Sequence, residues 1–144
     1  MMNGNRTGNR NGNLMSTTHV QQPPLNDPAT AKLARAVEAG AVVEALETIG
    51  LTQRSIATAT GASERSIRNW RTTSAIAPRY DDRLREMRAI VLVLDETLTP
   101  RGISQWFTAR NRLLGGRRPV DAMHDGDVEA VLAAASSLVE GAYI

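Results

Sequence analysis

Near the end of the chain, His124, Asp125, Asp127 and Glu129 have types and spacing that suit a metal ion or acid–base chemistry. A helix-loop-helix calcium site needs a ladder of oxygen ligands closed by a bidentate glutamate at its twelfth position. Counted from Asp125 that position is Ser136, which cannot close the ladder. Acidic residues at a helix start, where unpaired N–H groups and the helix dipole favour negative charge, explain the group without a metal. The other histidine, His19, lies far away in an Asn- and Gly-rich leader, there is no cysteine, and no glycine-rich phosphate loop follows a strand. With no nucleophile and base to pair, the sequence points away from an enzyme and calls for no metal or cofactor.

A different chemistry is written into Thr52 to Arg71, TQRSIATATGASERSIRNWR. Ala57 stands where two helices must nearly touch, and Gly61 follows where the chain must turn. Apolar Ile56, Ala62, Ile67 and Trp70 give each helix one inward stripe, the pattern of a helix-turn-helix. The second helix is left with Ser63, Glu64, Arg65, Arg68 and Asn69 outward, side chains of the kind that reach base edges and phosphates in a major groove. Two residues depart from the pattern. Glu64 puts a negative charge at the tip of the recognition helix, and Thr60 is polar where such motifs pack an apolar residue. Charge follows the motif: residues 52–88 hold eight arginines against four acidic residues, whereas residues 95–144 hold five against seven. That surplus suits a phosphate-facing lobe.

Helical periodicity is what the chain offers to position these groups. Residues 1–27, with NGNRTGNRNGN and QQPPLNDP, lack apolar rhythm and read as a disordered leader. From Ala29 to Ile49, Leu33, Val37, Val42 or Val43, Leu46 and Ile49 recur at helical spacing across Gly40. This predicts one kinked helix or two short ones, ended by Gly50. Thr52 is placed to cap the first helix of the motif. After a loop closed by Pro78, a helix is expected to begin near Asp81 and Asp82 and to run through Leu84, Met87, Ile90, Val91 and Leu94 to Leu98. Its all-apolar stretch from Ala89 to Leu94 marks a central helix or a subunit interface. Thr99-Pro100 starts the next helix, which carries Ile103, Trp106 and Phe107, and Gly115-Gly116 breaks the chain. Pro119 opens a short turn with Val120 and Met123. A last helix from Asp127 to Glu140 is expected to turn Val128, Val131, Leu132, Ala135, Leu138 and Val139 inward. The aromatic residues Trp70, Trp106 and Phe107 read as core rather than stacking platforms, and Arg117-Arg118 as a solvated loop.

No segment alternates with a period of two, so the expected fold class is all-α. An N-terminal helix-turn-helix lobe, residues 28–78, would join a C-terminal helical domain, residues 79–144. The chain's 144 residues, 42% of them hydrophobic, suffice for one domain or for two small lobes that share a core. Few are aromatic, so Ala, Leu, Val and Ile must build it. Absence of cysteine excludes disulfides and fits a reducing cytoplasm. The longest apolar run, Ala89 to Leu94, falls far short of the roughly 20 residues a membrane span needs. No apolar block near the start reads as a signal peptide.

A DNA reader of ordinary size could end at Leu98, so the residues beyond it ask for a second role. Trp106, Phe107, then Asn111-Arg112-Leu113-Leu114-Gly115-Gly116-Arg117-Arg118-Pro119, then Asp121, Gly126, Val131 and Gly141 resemble the C-terminal domain of the Xre/MbcA/ParS-type antitoxins, which are paired with RES-domain toxins. The similarity spans roughly residues 45–144, with the helix-turn-helix ahead of the toxin-binding domain. The resemblance implies a partner toxin that consumes NAD by glycohydrolysis, phosphorolysis or ADP-ribosyl transfer. It implies neutralisation by docking the C-terminal domain over the active-site cleft, with the terminal residues filling the entrance to the NAD pocket. The toxin-facing residues so implied are Asn111, Arg112, Leu113, Arg118 and Pro119, and the tail Gly141, Ala142, Tyr143 and Ile144. Repression of the antitoxin's own operon is implied as well, by a dimer or by an oligomer with the toxin. On that reading Arg54, Arg65, Arg68 and Arg71 contact phosphates or guanines of operator DNA, and Ser63 and Asn69 bond bases. The alternative is a stand-alone helix-turn-helix repressor whose C-terminal half makes dimers.

Overall fold

The structure, a computed structural model, describes residues 27–72 and 75–141. Among the described residues there are eight α-helices, one 3-10 turn and no strand, so the fold is all-α as expected. Residues 1–26 of the leader and Ala142, Tyr143 and Ile144 of the tail lie outside the described residues.

Asp27, expected in the leader, instead caps the first helix, α1 (Pro28–Arg35). Its carboxylate accepts the N–H of Ala29 at 2.8 Å, and Pro28 fills the first helical position, where its missing N–H costs nothing. The stretch to Ile49 forms two short helices, with the break at Ala36 to Glu38, ahead of Gly40, and α2 (Ala39–Ile49) following it. The end of α1 is satisfied from outside. The Arg88 guanidinium donates to the carbonyls of Leu33 at 3.2 Å and Ala34 at 2.6 Å.

The stretch expected to form a helix-turn-helix folds into two short helices, α3 (Gln53–Thr60) and α4 (Glu64–Asn69). Thr52 and Ser63 cap the two helices by accepting the N–H groups of Ser55 at 3.0 Å and Ser66 at 3.1 Å. Thr60, polar at an apolar position, is buried and satisfied. Its hydroxyl donates to the Ile56 carbonyl at 2.8 Å and accepts the N–H of Ala62 at 3.3 Å, so it stitches the turn instead of filling a core.

The next helix, α5 (Pro78–Leu94), departs from expectation at both ends. It starts at Pro78 and not at Asp81, because proline there is pre-set for a first helical position. It stops before Leu98, because bonds from Glu96 to the Val93 carbonyl and from Thr97 to that of Leu94 tighten the chain into a turn. Then come α6 (Pro100–Thr108), the 3-10 turn Arg112–Leu114, α7 (Pro119–His124) and α8 (Val128–Gly141). The last helix buries one stripe, Val131, Ala134, Ala135 and Val139. Leu132, expected inward, falls off that stripe and is 39% exposed.

One core cluster draws on every α-helix and crosses residue 78, so the two lobes are packed into each other. Central α5 buries Leu84, Met87, Ile90, Val91 and Leu94 against α1, α2, α3 and α8. Each such side chain contributes about 1.5–3 kcal/mol. Trp70 and Phe107 are buried; half-buried Trp106 meets the Phe107 ring edge-on at 5.3 Å. The first helix of the motif, α3, packs more extensively on α7 than on its own partner α4.

Candidate functional site

Two surfaces hold the residues the sequence singled out. The first is the loop from Arg110 to Pro119. Its backbone closes on itself: the Asn111 N–H donates to the Arg117 carbonyl at 3.0 Å, and the Gly116 N–H to the Asn111 carbonyl at 2.9 Å. Inside this ring the Asn111 side chain accepts the N–H of Leu113 at 2.9 Å and so starts the 3-10 turn. Gly115 and Gly116 then take φ of 70° and 87°, left-handed conformations that a side chain would strain, and the chain reverses. The two leucines of the turn have opposite surroundings. Leu114 is 2% exposed and anchors the turn on α8, while Leu113 is 65% exposed.

The arginines behind the turn, expected as a solvated loop, are both ion-paired, Arg118 exposed and Arg117 half-buried. Arg117 donates to the Leu114 carbonyl at 3.0 Å, to Asp125 at 3.3 Å and to Asp127 at 2.8 Å. The bond from Asp127 is the chief reason its guanidinium holds its proton even more firmly than usual. Arg118 meets Asp121 through two parallel bonds, 2.6 and 3.0 Å, and holds that carboxyl below the usual aspartate range. Pro119 is buried at the first position of α7. Among the proposed toxin-facing residues, then, Asn111, Arg118 and Pro119 shape the loop from behind. Arg112 and Leu113 face out, Arg112 with no ion pair among the described residues. Gly141 closes α8, and Ala142, Tyr143 and Ile144 lie outside the described residues.

The second surface is the motif. Arg54 sits 3.7 Å from Glu64, Arg68 donates to the Gln53 side chain at 3.3 Å, and Arg71 is paired with Glu47 of α2. Ser63 is spent on its cap, while Arg65 and Asn69 are exposed. Where the motif meets α7, the Nδ1–H of His124 donates to the Thr58 carbonyl at 3.1 Å, since a carbonyl oxygen only accepts. A cleft of about 500 Å³ opens beside it, lined by Arg54, Ser63, Glu64, Asp121 and Asp125. His124 is therefore a tether between the lobes. Among the described residues, no group of three or more acidic or histidine side chains is arranged to hold a metal.

The sequence reads Arg117 only as part of a solvated loop. The signal was there in the two aspartates eight and ten positions after it, but only the fold shows that all three converge.

No protein-family model matches the chain. The probable mycobacterial cidal antitoxin Rv3188 of Mycobacterium tuberculosis is 47% identical to it over 112 residues, 78% of this chain and 96% of the relative. The chain belongs to the mycobacterial cidal antitoxin family. The family member MbcA of Mycobacterium bovis is 32% identical over 109 residues, 75% of this chain and 96% of that relative. In three dimensions the antitoxin is similar to a chain of the crystal structure of the M. tuberculosis MbcT-MbcA toxin-antitoxin complex. The TM-score is 0.62 at 29% identity, over 76% of this chain and 100% of the other. Relatives named as antitoxins agree with the reading away from an enzyme. No described helix is long and apolar enough to cross a membrane.

Proposed function

We propose that this antitoxin neutralises a RES-domain toxin that consumes NAD, by laying the loop from Asn111 to Pro119 and the end of the chain, Gly141 to Ile144, over the toxin's active-site cleft. The observation that carries this reading is the loop itself. It is closed, anchored by Leu114 and braced by Arg117, yet it presents a 65% exposed leucine beside Arg112, an arginine with no ion pair among the described residues. An apolar side chain held out on a rigid turn is the form a binding anchor takes, because burial on a partner regains what solvent exposure costs. The existence of a complex between MbcT and the family member MbcA supports a toxin as the partner. Tyr143 and Ile144, an aromatic and an aliphatic side chain, suit a pocket built for a nucleotide.

The reading has a second part. Residues 28–78 would repress the antitoxin's own operon, through dimers or oligomers with the toxin, and residues 79–144 would hold the toxin, all in the cytoplasm. On the motif, Arg65 and Asn69 face out ready for DNA, and Arg54 and Arg68 exchange weak surface partners for phosphates or bases. Arg71 and Ser63 support the helix. The deciding experiment deletes Ala142 to Ile144 and co-expresses the chain with the candidate RES-domain toxin. Loss of rescue from growth arrest is expected; rescue at full strength overturns the plugging mechanism.

A further inference from the structure

Five hydrogen bonds converge on Arg117. Its N–H and Nε donate to the Leu114 carbonyl at 3.3 and 3.0 Å, its two terminal nitrogens donate to Asp125 at 3.3 Å and Asp127 at 2.8 Å, and its carbonyl accepts the Asn111 N–H at 3.0 Å. The side-chain anchors lie in three places: the end of the 3-10 turn, the residue that caps the end of α7, and the residue that precedes α8. A planar guanidinium fork reaches all three at once, which an ammonium cannot do.

We propose that Arg117 is a positioning residue for toxin binding, clamping the 3-10 turn against the α7–α8 turn so that Arg112 and Leu113 are held in one pose before the partner arrives. This rests on the reading of Leu113 as a toxin contact. The need for a clamp follows from the loop's composition. Gly115 and Gly116 in succession give an open loop more freedom than any other pair of residues, and that freedom would have to be lost on binding. A clamp that removes it in the free protein strengthens binding without touching the partner. Arg117 is thus distinct from its neighbour Arg118, the residue before α7, whose side chain bonds to Asp121 in the first turn of that helix.

The test is a double-mutant cycle on the full chain, with affinity for the RES-domain partner protein and thermal unfolding both measured. Leu113→Ala and Arg117→Ala are each expected to weaken binding about tenfold. Because Arg117 acts through the loop tip, the double variant should fall well short of the roughly hundredfold loss that independent effects would give. In Arg117→Ala the amides of Leu113 and Gly116 should exchange with solvent faster while those in the middle of α8 keep their protection, and Arg117→Lys should not restore affinity. Additive losses, or unchanged affinity in Arg117→Ala, overturn the proposal. If Arg117→Ala fails to fold, Asp127→Asn releases one anchor and takes its place in the cycle under the same criteria. Wild-type binding by Leu113→Ala overturns the underlying reading of the loop tip, a result separate from additivity.

Discussion

Leu113 and Leu114 are adjacent, identical and opposite in fate, so the same substitution at each separates binding from folding. Leu114 is 2% exposed and pins the 3-10 turn to α8. Its truncation to alanine removes buried methyl groups and leaves a cavity, at a cost of about 2–5 kcal/mol. A loss of about 2–3 kcal/mol would lower the melting temperature by roughly 10 °C in a chain of this size. Leu113 is 65% exposed. If complete burial of a leucine is worth about 2 kcal/mol, the free protein draws only about 0.7 kcal/mol from it. The remaining two thirds, about 1.3 kcal/mol, is gained only when a partner covers the side chain, which corresponds to roughly tenfold in Kd. Thermal unfolding and titration calorimetry against the RES-domain partner should therefore give crossed results. Leu114→Ala melts early, whereas Leu113→Ala melts near the wild type and binds about tenfold more weakly. Equal destabilisation by the two variants would refute the account of the loop, and unchanged affinity in Leu113→Ala would refute its role as an anchor.

Three further outcomes are expected. In Gly40→Ala the new Cβ would sit 2.5 Å from the Trp70 carbonyl oxygen and 3.3 Å from the Arg71 Cα, both backbone atoms that cannot swing aside. Overpacking of about 1–3 kcal/mol should outweigh the helix-forming gain of about 1 kcal/mol, and a raised denaturant midpoint would contradict it. Burial raises the carboxyl of Asp95 above its ordinary range, a hydrogen bond with Thr30 opposes the rise, and the charge of Asp27 adds to it. The folded state then binds the proton more tightly than the unfolded one, so stability falls as pH rises from about 3.9 through the folded-state value and stays lower beyond it. Asp95→Asn should accordingly melt higher than the wild type at pH 7, with the gap closing below about pH 3.9; a lower melting temperature at pH 7 would count against it. Lastly, Arg68→Ala should weaken operator binding by about 1–3 kcal/mol if that side chain reads a guanine, and an unchanged gel shift at moderate salt removes it from the DNA-contact set.

What the sequence made legible was whatever depends on neighbours along the chain. Thr52 and Thr99 cap helices because a hydroxyl three residues before an N–H reaches it whatever the rest of the protein does. The break at Gly115-Gly116 and the start at Pro119 are likewise local. Illegible were the features that depend on which elements meet. Leu132 was assigned inward by periodicity alone, but the face of α8 that is buried is set by where α5 lies. Leu113 and Leu114 could not be told apart, because their difference arises only when the turn docks on α8.

The arginines show the same limit in its most consequential form. An arginine surplus over residues 52–88 reads as a phosphate-facing surface. Yet several of these side chains are spent inside the protein: Arg88 on the carbonyls that end α1, Arg83 on the Met123 carbonyl at the end of α7, and Arg71 on Glu47. A fold of eight short helices has many helix ends, each leaving carbonyls without partners within the helix. With few aromatic residues to cover those ends, a long side chain with five donors that cannot lose its charge is well suited to satisfy them. Arginine density in this chain therefore tracks the number of helix ends at least as much as the approach of nucleic acid. Of the arginines whose side chains have no hydrogen bond or ion pair among the described residues, Arg65 lies on the motif and Arg112 at the loop tip, one on each of the two surfaces proposed to bind.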